Sequence, residues 1–220
     1  MSKVIPSKPL LFILYGYPGS GKSFIARQLT EQMQAAHIQG DRIRSELFEE
    51  PRYDKQENTV VTQLMDYMAH EFLNAGLSVI YDTNSMRLAQ RRALREMARQ
   101  TRAQPILVWL QIDAETAYIR ASKRDRRHTD DKYSASIDRN TFDTISGGMQ
   151  NPTSIEDYIV ISGKHSFNTQ LNAITKKLRE LGLLATEQKS DHVIKPGLVN
   201  LVPNPMAGRV DMSRRNIVIR

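Results

Sequence analysis

The chain has 220 residues, 40% hydrophobic and 25% charged, enough for one domain with a full core and incompatible with wholesale disorder. It contains no cysteine, which excludes disulfide scaffolds, thiolate zinc sites and cysteine nucleophiles. Lysine and arginine total 31 against 24 acidic residues, and the net charge of +7 tilts the expected partners toward polyanions without bearing on the fold.

The apolar run at residues 9–15 is too short to span a bilayer and lacks the shape of a secretory signal, so the expectation is a cytoplasmic protein with no membrane partner. Leu10-Leu11-Phe12-Ile13-Leu14-Tyr15 is apolar without interruption, the pattern of a central parallel strand. A turn rich in glycine and proline follows, and then a helix is predicted over about residues 22–36. The short segment Ile38-Gln39-Gly40-Asp41 leads into a helix starting just after it. Val60, Val61, Leu64, Met65, Met68 and Phe72 recur at helical spacing and predict one buried stripe. Leu77-Ser78-Val79-Ile80-Tyr81 is the next buried strand, and a long helix is expected over about residues 86–101. Strands at residues 106–112 and 158–161 and a helix near residues 169–181 complete the series. Strand and helix alternate throughout. The expected fold is therefore α/β, a doubly wound parallel sheet of about five strands with helices on both faces. Residues 1–184 form the expected domain, with a helical lid expected near residues 120–140, where charges of both signs crowd together. From residue 185 to 220 prolines and glycines punctuate short apolar runs, as in an extension that adds a strand edge, docks a second subunit or binds nucleic acid through its arginines.

Gly16-Tyr17-Pro18-Gly19-Ser20-Gly21-Lys22-Ser23 fits G-x-x-x-x-G-K-[ST], between an apolar strand and a helix. This is the setting of a P-loop NTPase. In such a loop, Gly16, Pro18, Gly19, Ser20 and Gly21 form the cofactor-binding turn, in which the backbone N–H groups of the non-proline residues and a helix N-terminus meet phosphate oxygens. Lys22 would reach the β- and γ-phosphates of ATP, and Ser23 would ligate Mg²⁺. No Asn-Lys-x-Asp loop of a GTPase follows, and no apolar strand ends in the Asp-Glu of a motor or transport ATPase. Ile145-Ser146-Gly147-Gly148-Met149-Gln150 echoes a transporter signature but reads as a helix-ending turn.

A kinase needs an acceptor base, positive charge on the moving phosphoryl group, and a lid. Asp41 follows the second strand, where a doubly wound sheet places its substrate. It is suited to deprotonate an acceptor hydroxyl or, equally, to cap a helix. Arg44, one turn later, is suited to hold an acceptor phosphate or to lie on the surface. Asp82 ends an apolar strand and would hold Mg²⁺ through water, or cap the helix that follows.

Four elements in order give the chain its resemblance to the kinase domain of phage-type polynucleotide kinases, within the wider group that includes zeta-toxin-like P-loop kinases. They are the glycine-rich loop, Asp41-Arg42-Ile43-Arg44, Tyr81-Asp82-Thr83-Asn84 with Arg91-Arg92 downstream, and Arg120-Ala121-Ser122-Lys123-Arg124. The resemblance implies that the Asp41 position activates a 5′-hydroxyl and that Arg44 contacts the neighbouring phosphate. It also implies that Arg124 grips the donor phosphates from a lid; in the same basic stretch, Arg120 is the alternative donor clamp. It covers about residues 10–165 and includes no Asp-x-Asp phosphatase motif.

Arg87, Arg91, Arg95 and Arg99 recur every fourth position, either as a stripe that tracks a nucleic acid backbone or as a solvated helix face. The five histidines show no metal spacing. Two rivals to a polynucleotide kinase remain open at this stage: a small-molecule or toxin-type kinase acting on a sugar, nucleoside or nucleotide-sugar, and an ATP-hydrolysing binding module.

Overall fold

A computed structural model describes residues 4–84, 86–125, 127 and 131–184. Contacts divide the chain into Met1–Ala185 and Thr186–Arg220, and the second unit, with the expectations placed on it, lies outside the described residues.

The described chain runs β1 (Leu10–Tyr15), α1 (Lys22–Met33), β2 (Ala36–Gln39), α2 (Gly40–Leu47), α3 (Lys55–Asn74) and β3 (Val79–Asp82). It continues through α4 (Leu88–Gln100), β4 (Gln104–Gln111), α5 (Ala114–Ser122), α6 (Arg139–Gly147), β5 (Tyr158–Ser162) and α7 (Phe167–Glu180). The five strands form one parallel sheet in the order β2-β3-β1-β4-β5.

Every residue of β1 is buried because helices cover both faces. Leu10, Phe12 and Leu14 point to one side, where they join Ile25 and Leu29 of α1 and Ile174 and Leu178 of α7. Leu11, Ile13 and Tyr15 point to the other, against Val61 and Met65 of α3 and Leu94 and Ala98 of α4. The period of two in a strand thus builds two cores from one run of six residues. Aspartates start three helices: Asp54, Asp113 and Asp138 accept from the backbone amides of Glu57, Thr116 and Thr141.

Three expectations are corrected. Helix α1 stops at Met33 because Gln34 turns left-handed, at φ 51°, and Ala36 already belongs to β2. On α3 the buried row is Glu57, Val61, Met65, Ala69 and Leu73, while Val60 is exposed. The arginines of α4 do not form a solvated stripe, because the buried face of that helix is Arg91, Leu94 and Ala98. Arg91 is fully buried, donating from Nε and Nη2 to both carboxylate oxygens of Glu156 at 2.8 and 3.1 Å and lying over the Tyr15 ring. In the lid region, α5 and α6 flank residues 123–138, whose described part carries no helix.

Candidate active site

The strand order brings the C-terminal ends of β2, β3 and β1 side by side; Asp82 is the last residue of β3, and the segments that leave β2 and β1 carry Asp41 and the glycine-rich loop. The loop is folded as a phosphate cradle. Gly19 has φ 82°, and a β-carbon there would drive into the Ala117 carbonyl oxygen of α5. Gly163, in the turn after β5, packs so close that a β-carbon would stand 2.6 Å from the Ser20 carbonyl oxygen. Ser20 is buried, and among the described residues its hydroxyl has no hydrogen-bond partner. Such an orphaned donor inside the loop fits a phosphate oxygen.

Lys22 opens α1 and folds back over the loop, donating from Nζ to the carbonyl oxygens of Gly16 and Tyr17 at 2.9 and 2.8 Å. Burial pushes its ammonium down to about 8. The Asp82 carboxylate opposes that shift, the Arg124 guanidinium adds to it, and the Asp41 carboxylate again opposes it. The lysine therefore senses all three groups at once, although they come from the end of β3, from α2 and from the segment after α5.

Asp82 is buried, with Oδ2 3.0 Å from His37 Nε2 of the neighbouring strand β2. His37 had no role in the sequence reading. The parallel pairing of β2 with β3 is what makes it the neighbour of Asp82, and local pattern carries no trace of that pairing. Ser23 is the second residue of α1. A serine hydroxyl and a carboxylate are hard oxygen donors, which fit Mg²⁺ held partly by nucleotide phosphates. The same geometry accords with the finding that no cluster of three His, Cys, Asp or Glu side chains among the described residues would hold a metal unaided.

Asp41 lies in the first turn of α2, and its Oδ2 accepts a 2.8 Å bond from Ser134 Oγ. Arg124 donates from Nη1 to the Ala135 carbonyl at 2.8 Å. Arg120 is exposed and donates to the Gly163 carbonyl at 2.9 Å, joining α5 to the turn beside the loop. Arg44 is placed differently from an acceptor clamp. It is buried, donates from Nη1 to Glu57 Oε2 at 3.0 Å and from Nη2 to Asn58 Oδ1, and lies over Tyr53. Glu57 also accepts from the backbone amides of Arg52 and Tyr53, and these bonds hold its carboxyl below the usual range against the opposing effect of burial. Arg126 and His128 lie outside the described residues.

A parallel sheet with a phosphate loop between its central strand and the following helix defines a P-loop NTPase fold. Within that class, a family profile for the AAA domain matches residues 11–152, and the chain belongs to that family. No curated protein matches. Among solved structures, Kti12 of Chaetomium thermophilum in complex with ADP-AlF3 is 17% identical, with a TM-score of 0.61 over 78% of this chain and 98% of that one. A sugar kinase from Janibacter sp. HTCC2649 is 16% identical, with a TM-score of 0.56 over 80% of this chain and 95% of that one. The APS kinase of Mycobacterium tuberculosis, solved with AMPPNP and APS, is 17% identical, with a TM-score of 0.55 over 79% and 99%. At these identities the likeness is one of fold. Among the described residues no helix is long and apolar enough to cross a membrane.

Proposed function

We propose that the protein is an ATP-dependent kinase whose acceptor is an alcohol, and that this alcohol is the 5′-hydroxyl of a polynucleotide. The observation that carries the kinase reading is the convergence of Asp41, Asp82 and the glycine-rich loop at the C-terminal ends of β2, β3 and β1, with Ser134 and Ala135 bonded to Asp41 and Arg124. Hydrolysis alone has no need of a carboxylate already bonded to an alcohol, as Asp41 is.

In this reading Lys22 and the loop amides bind the β- and γ-phosphates of ATP, and Ser23 and Asp82 hold Mg²⁺. When bound, Mg²⁺ neutralises charge on the phosphates. The acceptor oxygen attacks the γ-phosphorus, the bond from that phosphorus to the β–γ bridging oxygen breaks, and ADP leaves. Asp41 takes the hydroxyl proton, and Arg124 balances the negative charge on the transferring group. Arg44 joins α2 to α3 and so positions the helix that carries Asp41. ATP as donor suits a cytoplasmic setting.

The polynucleotide acceptor is supported by the net charge, by the sequence resemblance and by exposed Arg42, Arg87 and Arg92 on α2 and at the start of α4. A second reading, a small-molecule kinase, is favoured by the withdrawal of Arg44 and Arg91 into buried ion pairs, since both are then lost to a phosphate backbone. Two of the similar proteins, the sugar kinase and the APS kinase, act on small molecules. Offering γ-labelled ATP with 5′-hydroxyl DNA and RNA, nucleosides and sugars decides between the two. Label on the oligomers, lost in Lys22→Ala and Asp41→Ala, is the expected result. Label only on a small molecule replaces the acceptor, and label only in free phosphate contradicts the kinase reading.

A further inference from the structure

Asp41 already holds an alcohol, and the alcohol belongs to the protein. Ser134 Oγ donates to Asp41 Oδ2 at 2.8 Å across 93 residues of sequence, and Ser134 is only 5% exposed. Backbone bonds on both sides hold it there. Its own amide donates to the Asp131 carbonyl at 3.0 Å, and the carbonyl of the next residue, Ala135, accepts from Arg124. On its other side, Tyr133 faces the guanidinium of Arg42, the neighbour of Asp41, 5.9 Å from the ring centre. One short stretch of chain is thus tied both to the carboxylate that would act as base and to the arginine that would clamp the donor. Lys22 is within electrostatic range of both. A hydroxyl shielded from water, on a carboxylate whose charge reaches the phosphate-binding lysine, is the arrangement a kinase requires of its acceptor.

We propose that Ser134 is an acceptor within the protein, phosphorylated in cis by ATP bound at the glycine-rich loop. The proposal rests on the reading of Asp41 as the base and extends it to a modification site. Ser134 Oγ attacks the γ-phosphorus and a new O–P bond forms. The bond from that phosphorus to the β–γ bridging oxygen breaks, ADP leaves, and the hydroxyl proton passes to Asp41. The phosphoserine then carries a charge of about −1.5 to −2 and can no longer donate to Asp41. Like-charge repulsion drives residues 131–135 off that carboxylate and opens it to an external acceptor.

The test uses the full chain with Mg²⁺ and γ-labelled ATP, first without any acceptor and over a range of protein concentrations. Expected are label on the protein, its mapping to Ser134 by peptide mass, and a first-order rate independent of protein concentration. Ser134→Ala and Asp41→Asn each lower the label roughly tenfold or more, whereas Ser134→Thr keeps the hydroxyl and keeps label at residue 134. A melting midpoint for Ser134→Ala equal to that of the parent excludes misfolding as the cause. Label at other residues, unchanged label in Ser134→Ala, or a rate that rises with protein concentration overturns the proposal. Transfer to an added oligonucleotide or sugar that depends on Asp41, with no label on Ser134, overturns the self-acceptor alone and leaves Asp41 as base. Release of γ-phosphate only as inorganic phosphate, at the same rate in Asp41→Asn, overturns both.

Discussion

Two cations, the fully buried Arg91 and the half-buried Lys22, are held differently, and the sequence presents both as parts of basic motifs. Arg91 packs on the Tyr15 ring, and its guanidinium meets a carboxylate and the carbonyl oxygens of Met86 and Asn151. Among the described residues, Lys22, a few residues beyond Tyr15, donates to two carbonyl oxygens of its own loop, and the carboxylates of Asp82 and Asp41 act on it through their charge. A buried charge that is fully paired holds elements together, here α4 to the segment before β5. A cation that its surroundings desolvate without a direct carboxylate bond has lost stability at a place where an anionic ligand would restore it.

The largest effect should come from breaking the satisfied cluster. Arg91→Ala strands the Glu156 carboxylate in the interior and is expected to destabilise the fold by about 3–5 kcal/mol, read as a fall in the chemical-denaturation midpoint. Were the stripe a surface for nucleic acid instead, stability would hold and only binding would fall. In the other cluster the folding cost should be small and the catalytic cost large. Lys22→Ala is expected to lower phosphoryl transfer roughly 10²–10³-fold with little change in melting.

The depressed Lys22 ammonium gives a pH signature of the same contrast. In the folded protein it loses its proton near 8, and in the unfolded chain near its ordinary value of 10.5. Between those values the unfolded state binds the extra proton, so the contribution of Lys22 to stability rises with pH across that window and is flat below it. Subtracting the pH–stability profile of Lys22→Met from that of the parent isolates the rise, and a difference that falls over the window contradicts the assignment. The smallest effect belongs to Arg99. Its guanidinium pairs with Glu96 on the solvent side of α4, and Arg99→Ala should leave the midpoint unchanged within error.

Most of the order of strands and helices was legible because β1, β3, β4 and β5 are apolar runs and most helices between them carry a buried face, but the short α5 after β4 was not. The phosphate loop was legible because its glycines and lysine are adjacent in sequence. What stayed hidden depends on partners far along the chain. Arg44 looked like an acceptor ligand because Glu57, its partner, begins the next helix and resembles any solvated first-turn carboxylate. Arg91 looked solvent-facing because Glu156 stands 65 residues away. Ser134 sits in a charged stretch with no periodicity, and only the folded chain brings it to Asp41. His37 was unreadable for the same reason, since its role follows from the register of β2 on β3.

The central claim is that the Lys22 cluster is built for transfer to an alcohol and that Asp41 is its base. The most direct measurement is a parallel determination of ATP affinity and phosphoryl transfer in Asp41→Asn. The account predicts nucleotide affinity close to that of the parent, with transfer lowered roughly 10²–10⁴-fold. Transfer at the parental rate would contradict it, and Asp41 would then be a residue of the first turn of α2 with no part in the chemistry.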